Sequence, residues 1–324
     1  MTLSAKLLPM VALLGCAHPA AAPVARAAHG EVVHARVHSD GLLKNLLGDS
    51  ADVEVIVWLP RGYAKDARRY PVLYLLHGFG SAPAVFFDGS LQGYSIPSSD
   101  PPFIVVAPSG HNLYRGSFWV DSPVTGAWAQ LLDRDLVAWV DKSFRTLAIP
   151  SARGIAGHSM GGFAALQHGL SRPDLFGAVY ALSPCCIDEE LLRDLPPSAG
   201  TALRTREQAA GADDLGGLAV AVAAAFSPDP SRPPLFVDLA ARDRWATPLP
   251  LANAPKLRVI GLDFGRADEF RSIPATVEDL YAQLQQAGAQ VQLQEYDGDH
   301  LDHIGERLAT RVLPFFAGAL SFRP

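Results

Sequence analysis

The run Gly157-His158-Ser159-Met160-Gly161-Gly162 sets one serine among glycines where a short expected strand, Arg153 to Gly157, gives way to a helical pattern over Met160 to Leu170. A sharp strand-to-helix turn strains the backbone of its central residue, and neighbours without a Cβ relieve the clash. The turn lifts the Ser159 hydroxyl above the sheet. It also leaves the Met160 N–H at a helix N-terminus, where unpaired donors and the helix dipole stabilise an oxyanion. The chemistry this arrangement suits is attack of a hydroxyl on an acyl carbon. Such a serine needs a histidine to take its proton, and the histidine needs a carboxylate to fix its tautomer and steady its charged form.

Where this elbow occurs, the acid and then the histidine follow on loops after later strands. The apolar run Leu257 to Leu262 precedes Asp263-Phe264-Gly265-Arg266-Ala267-Asp268-Glu269, and Gln290 to Tyr296 precedes Asp297-Gly298-Asp299-His300. Asp268 and His300 are the expected acid and base. Asp263 stays open as an acid at the strand's end, with Asp243 and Glu269 behind it. His303 stays open as a base, although it begins a helical pattern and is expected to face solvent or pack. His158 is expected to sit below the turn and point away from the Ser159 hydroxyl. The second oxyanion donor belongs on Leu76-His77-Gly78-Phe79-Gly80, whose glycines let the backbone approach a substrate while the Phe79 N–H faces it. Phe86, Phe87, Phe118, Trp119 and Trp128 follow strands on the same side and suit either pocket lining or ordinary core. Neither a cofactor nor a metal is called for.

The elements that must hold these residues read as an α/β fold. Glu31 to His38 and Asp52 to Pro60 alternate as an opening antiparallel pair, and Pro71 to Leu76 and Phe103 to Ala107 are continuous apolar runs. Runs without a polar face suit parallel strands covered on both sides. Ala127 to Phe144 carries apolar residues at helical spacing, and a strand–helix–strand succession follows through Ala178 to Leu182. Helices over Val277 to Ala287 and Glu306 to Leu320 alternate with the last strands. Residues 187–226 are Ala-rich and suit a helical excursion over the sheet's edge that shapes the cleft. Without a repeat or a linker, 31–324 reads as one domain.

Residues 1–30 differ from the rest. Lys6 precedes an apolar run from Leu7 to Gly15, the layout of a secretory leader and too short to span a bilayer. It ends in Leu13-Leu14-Gly15-Cys16, which resembles a bacterial lipobox and makes Cys16 a lipidation candidate and a possible membrane tether. Cleavage after Ala25-Arg26-Ala27 is the alternative. Both place the mature chain outside the cytoplasm. Of the 324 residues, 49% are hydrophobic and 19% charged, as in a globular protein, and the net charge of −6 provides no basic stripe for nucleic acid. The chain has three cysteines. Cys185 and Cys186 are adjacent, a geometry that strains a mutual disulfide, so both are expected to be small buried residues.

Beyond these local patterns, Tyr70-Pro71-Val72-Leu73-Tyr74-Leu75-Leu76-His77-Gly78, Ser117-Phe118-Trp119-Val120-Asp121-Ser122-Pro123, the elbow through Leu166, Pro173-Asp174-Leu175-Phe176, Ala181-Leu182-Ser183-Pro184 and Gly265-Arg266-Ala267-Asp268 resemble one family. It is the esterase D-like branch of the α/β-hydrolases, which includes S-formylglutathione hydrolases, feruloyl and acetylxylan esterases and mycolyltransferases. The resemblance runs from about Val53 to Leu320. It implies an α/β-hydrolase fold with a mostly parallel sheet between helices, Ser159, Asp268 and His300 as a triad, and the Phe79 and Met160 amides as the oxyanion hole. The implied reaction is hydrolysis of a small-molecule, glycan or lipid ester. Acyl transfer to a sugar or lipid hydroxyl is the alternative, and a non-catalytic binding role the second. Many relatives carry Trp or Tyr shortly after the histidine. Here Leu301-Asp302-His303 stands instead, which keeps His303 in contention and departs from the best-known mycolyltransferase and feruloyl esterase versions.

Overall fold

The computed structural model describes residues 30–187, 194–212, 215–245 and 247–324. Cys16 and the rest of the leader lie outside the described residues. The strands of the main sheet are β1 Glu31–His38, β2 Asp52–Leu59, β3 Val72–Leu76, β4 Ile104–Pro108, β5 Arg153–His158, β6 Ala178–Leu182, β7 Val259–Gly265 and β8 Val291–Tyr296. They form one sheet in the order β1-β2-β4-β3-β5-β6-β7-β8. β1 and β2 pair antiparallel, as does β2 with β4. From β4 to β8 every pairing is parallel.

The burial of the strands explains their composition. Every residue of β3, β4, β5 and β6 is buried, so the uninterrupted apolar runs of β3, β4 and β6 meet protein on both faces. Alternate residues feed two cores. Val72, Tyr74, Val106, Ile155 and Val179 belong to one face, while Leu73, Leu75, Val105, Ala156 and Tyr180 belong to the other. The first face is covered by helix α1 (128–143), α2 (Met160–Ser171), α4 (Leu215–Phe226) and α5 (Ser272–Gln286), with the short α3 (Arg206–Gly211) preceding α4. The second is covered by α6 (304–319) together with Phe86 and Ile96. Both α1 and α6 contain a widened π-helical segment, at Leu131–Leu136 and Leu308–Val312.

Two boundaries differ from the sequence expectation, and one helix is buried. β7 runs on to Gly265, which puts Asp263 inside the strand, opposite Leu182 and Gln294. α5 begins at Ser272, ahead of the expected Val277. Its first turn is held by Asp194, whose carboxylate accepts the Ser272 N–H at 3.0 Å, and Pro274 falls in that turn, where a missing N–H costs nothing. The stretch expected as a surface excursion contains α4, where Gly217 and Ala219 to Ala225 are all buried. Its alanines pack into the first core.

Candidate active site

The loops that leave the parallel strands at their C-terminal ends converge, the usual location of ligands in an open α/β sheet. Ser159 fills the turn between β5 and α2 with φ 55° and ψ −115°, a strained backbone for a residue with a side chain. The turn is tight enough to dictate its neighbours. A Cβ on Gly157 would lie 2.3 Å from the Gly161 carbonyl oxygen, and one on Gly161 would lie 2.2 Å from that of Leu76. The Ser159 N–H donates to Leu182 and its carbonyl accepts from Phe163, both at 2.9 Å, so the elbow is tied to β6 and to its own helix.

His300 and Asp268 arrive on the loops after β8 and β7. His300 Nδ1 donates to Asp268 Oδ2 at 2.8 Å, and both side chains are almost wholly buried. The other Asp268 oxygen accepts the Phe270 N–H at 2.9 Å, which fixes the carboxylate plane. With its proton held at Nδ1, the imidazole keeps the Nε2 lone pair for another group. Ser159 and His300 line the same cavity. Among the described residues no hydrogen bond joins them; such contacts commonly tighten only when substrate binds. The Met160 N–H heads α2 and has no helical carbonyl behind it, and the Phe79 N–H meets no backbone acceptor among the described residues. The structure thus brings all five expected residues to one end of the sheet.

The supporting shell was mostly invisible in the sequence. His158, expected to sit below the turn and point away from the Ser159 hydroxyl, packs and hydrogen-bonds against His300. It lines the cavity, its ring centroid 4.8 Å from that of His300 and its Nε2 2.9 Å from the His300 carbonyl. Burial, then the neighbouring His300 and Arg307, hold its pKa well below that of a free imidazole, so it is a neutral donor that props the base. His77 is likewise neutral: burial lowers it to about 4. Its Nδ1 donates to the Gly78 carbonyl at 2.8 Å while Nε2 accepts the Gly110 N–H at 2.9 Å, which sets the loop that carries Phe79. Glu269, weighed as an acid, accepts the His300 N–H at 3.0 Å instead. Asp243 is exposed, and His303 is a half-exposed partner of Glu306.

Asp263 has another occupation. It forms a buried ion pair with Arg307 and accepts from the Tyr180 hydroxyl at 3.1 Å. Arg307 also donates to the Tyr296 hydroxyl at 2.8 Å and to Ser183 at 3.1 Å, and Tyr296 donates to the Asp299 carbonyl at 2.8 Å. This network clamps the start of α6 and the loop that presents His300. Nothing in the sequence marks Arg307, because a basic residue in an amphipathic helix reads as solvated.

One further expectation is corrected. Cys185 and Cys186 are joined by a disulfide, accommodated by the left-handed backbone of Cys186 at φ 63°. Of the aromatics left open, Phe118, Trp119 and Trp128 are buried in the first core and Phe87 packs against the second, leaving Phe86 as the one of the five that lines the cavity. The cavity holds about 370 Å³ and is walled mainly by apolar side chains, among them Phe79, Phe86, Leu218, Phe270 and Ile273. Among the described residues, no group of three or more His, Cys, Asp or Glu is placed to hold a metal ion.

The strand order, the helices on both faces and the serine elbow define an α/β-hydrolase fold. The chain belongs to the family described as "Putative esterase", which matches residues 50–303. Esterase Rv1288 of Mycobacterium tuberculosis is 35% identical over 119 residues, 35% of this chain and 25% of that protein. An endo-1,4-beta-xylanase/feruloyl esterase of Xylanibacter ruminicola is 36% identical over 132 residues, 37% of this chain and 18% of that protein. The match therefore spans a quarter or less of these relatives. In fold, the chain is similar to a ferulic acid esterase, with a TM-score of 0.60 at 22% identity over 90% of this chain and 99% of the other. It is also similar to an S-formylglutathione hydrolase from Agrobacterium tumefaciens, with a TM-score of 0.61 at 17% identity over 91% and 97%.

Proposed function

We propose that this protein is a serine carboxylesterase that works through an acyl-enzyme on Ser159. The observation that carries the reading is the 2.8 Å contact between His300 and Asp268 at the rim of the cavity that Ser159 also lines. In the proposed reaction Ser159 attacks the ester carbonyl as His300 Nε2 takes its proton, and the charged imidazole is steadied by Asp268. The oxygen that becomes negative is met by the Phe79 and Met160 N–H groups. His300 then returns the proton to the departing alcohol. Water follows the reverse course: it loses a proton to His300, attacks the acyl carbon and releases the acid as Ser159 recovers its proton. The apolar lining favours an acyl group with little charge, and family membership supports ester chemistry in general.

The proposal extends to place. Residues 1–30 act as an export leader, with Cys16 lipidated or the segment cleaved, and 31–324 act as the catalytic domain outside the cytoplasm. The leader pattern supports this address. Lipid labelling of the wild type that disappears in Cys16→Ser supports the lipidated form; label that stays removes it. For the activity, short p-nitrophenyl esters should be hydrolysed by the wild type, and Ser159→Ala should lose about 10³-fold or more in kcat. Free acid should be the product even with a sugar alcohol present. Esterified acceptor would redirect the reading to a transferase, and equal rates in Ser159→Ala would end it.

A further inference from the structure

The loop leaving β6, Ser183-Pro184-Cys185-Cys186, carries a bonded cysteine pair into the cavity wall. Its attachment to the elbow is direct. The Cys185 N–H donates to the Ser159 carbonyl at 3.3 Å, so the loop and the nucleophile share a backbone contact. Cys186 is buried with φ 63°, a conformation that residues with a side chain seldom adopt. Both cysteines face the same space as Leu218 of α4 and Ile273 of α5.

From this placement we infer that the Cys185–Cys186 cystine is a specificity-determining wall of the acyl cavity. The inference rests on the ester chemistry proposed for Ser159. Adjacent cysteines joined through their sulfurs close a small ring in which neither side chain can change rotamer. The face they offer is methylene and polarisable sulfur, without an N–H or O–H, and it suits an apolar acyl chain. Reduction removes that constraint. Once the bond is cut, the two sulfurs must separate to van der Waals distance, each gains rotamer freedom and an S–H, and Cys186 is released from its left-handed backbone. A wall displaced by about one methylene changes selection between acyl chains by about tenfold or more. Long chains that reach the wall feel the change; an acetyl group, confined to the neighbourhood of Ser159, has little contact with it.

The test uses the exported chain purified without reductant. Cys16 is the only other cysteine, so reduction acts on one bond. One dithiothreitol supplies two electrons and two protons, leaving two thiols and its own cyclic disulfide. Iodoacetamide should alkylate Cys185 and Cys186 only after this treatment. The ratio of kcat/KM for p-nitrophenyl octanoate over p-nitrophenyl acetate should then fall about tenfold, both in the reduced wild type and in Cys185→Ser/Cys186→Ser. Labelling of Ser159 by a fluorophosphonate reports whether each preparation has an assembled site. If the double variant does not label, the reduced wild type decides. Alkylation of both cysteines without reductant, or a ratio that stays level on reduction in protein that still labels, overturns the inference and leaves the esterase reading standing. Wild type that neither labels nor turns over either ester overturns the esterase reading, and this inference with it.

Discussion

Asp263 and Asp268 are five positions apart, both buried, and fit for different work. Asp268 holds a histidine whose other nitrogen remains available to the cavity; Asp263 is consumed by Arg307 and Tyr180. Their substitutions should separate accordingly. Asp268→Asn should lower kcat by about 10³- to 10⁴-fold by spoiling the histidine tautomer, with little change in the urea midpoint. Asp263→Asn should leave Arg307 buried without its countercharge and cost roughly 3–5 kcal/mol of unfolding free energy in urea titration. If the two results were exchanged, the assignment of the acid would be exchanged with them. Chain order after the elbow was enough to nominate Asp268 and His300. The sequence could not separate the roles of Asp263 and Glu269, because those roles depend on Arg307 and on the His300 backbone, partners 44 and 31 residues away.

The strand-to-helix elbow is where local sequence speaks most clearly, since its constraint is steric and short-ranged. Gly161 faces the Leu76 carbonyl at a distance no Cβ tolerates. Gly161→Ala should therefore push α2 away from β3, at a cost of at least about 1–3 kcal/mol in urea titration, and slow phosphonylation of Ser159. A stable variant labelled at the wild-type rate would show the elbow to be looser than described. The continuous apolar runs of β3, β4 and β6 were legible for a similar reason: burial on both faces leaves no polar face to confuse the period. The start of α5 was not legible, because its first N–H is met by Asp194, far back in the chain. The same holds for the cysteine pair, whose bond depends on a left-handed residue that the sequence does not announce.

Across the whole molecule, the two buried imidazoles His77 and His158 link the fold to pH. Both have folded pKa values below the ordinary 6.5, His77 at about 4. The unfolded chain therefore binds protons that the folded chain refuses. Stability should be complete above about pH 6.5 and fall as the pH drops towards 4, with His77 alone contributing a loss of roughly 2 kcal/mol at pH 5. Urea midpoints that stay flat from pH 7 to 5 would contradict this. The most direct test of the Ser159 assignment is peptide mapping after treatment with a dialkyl p-nitrophenyl phosphate, which acylating serines accept and do not readily release. One dialkylphosphoryl group on the peptide containing Ser159, with ester turnover lost in proportion, is the expected result. An adduct at another residue, or full turnover with Ser159 modified, would contradict it.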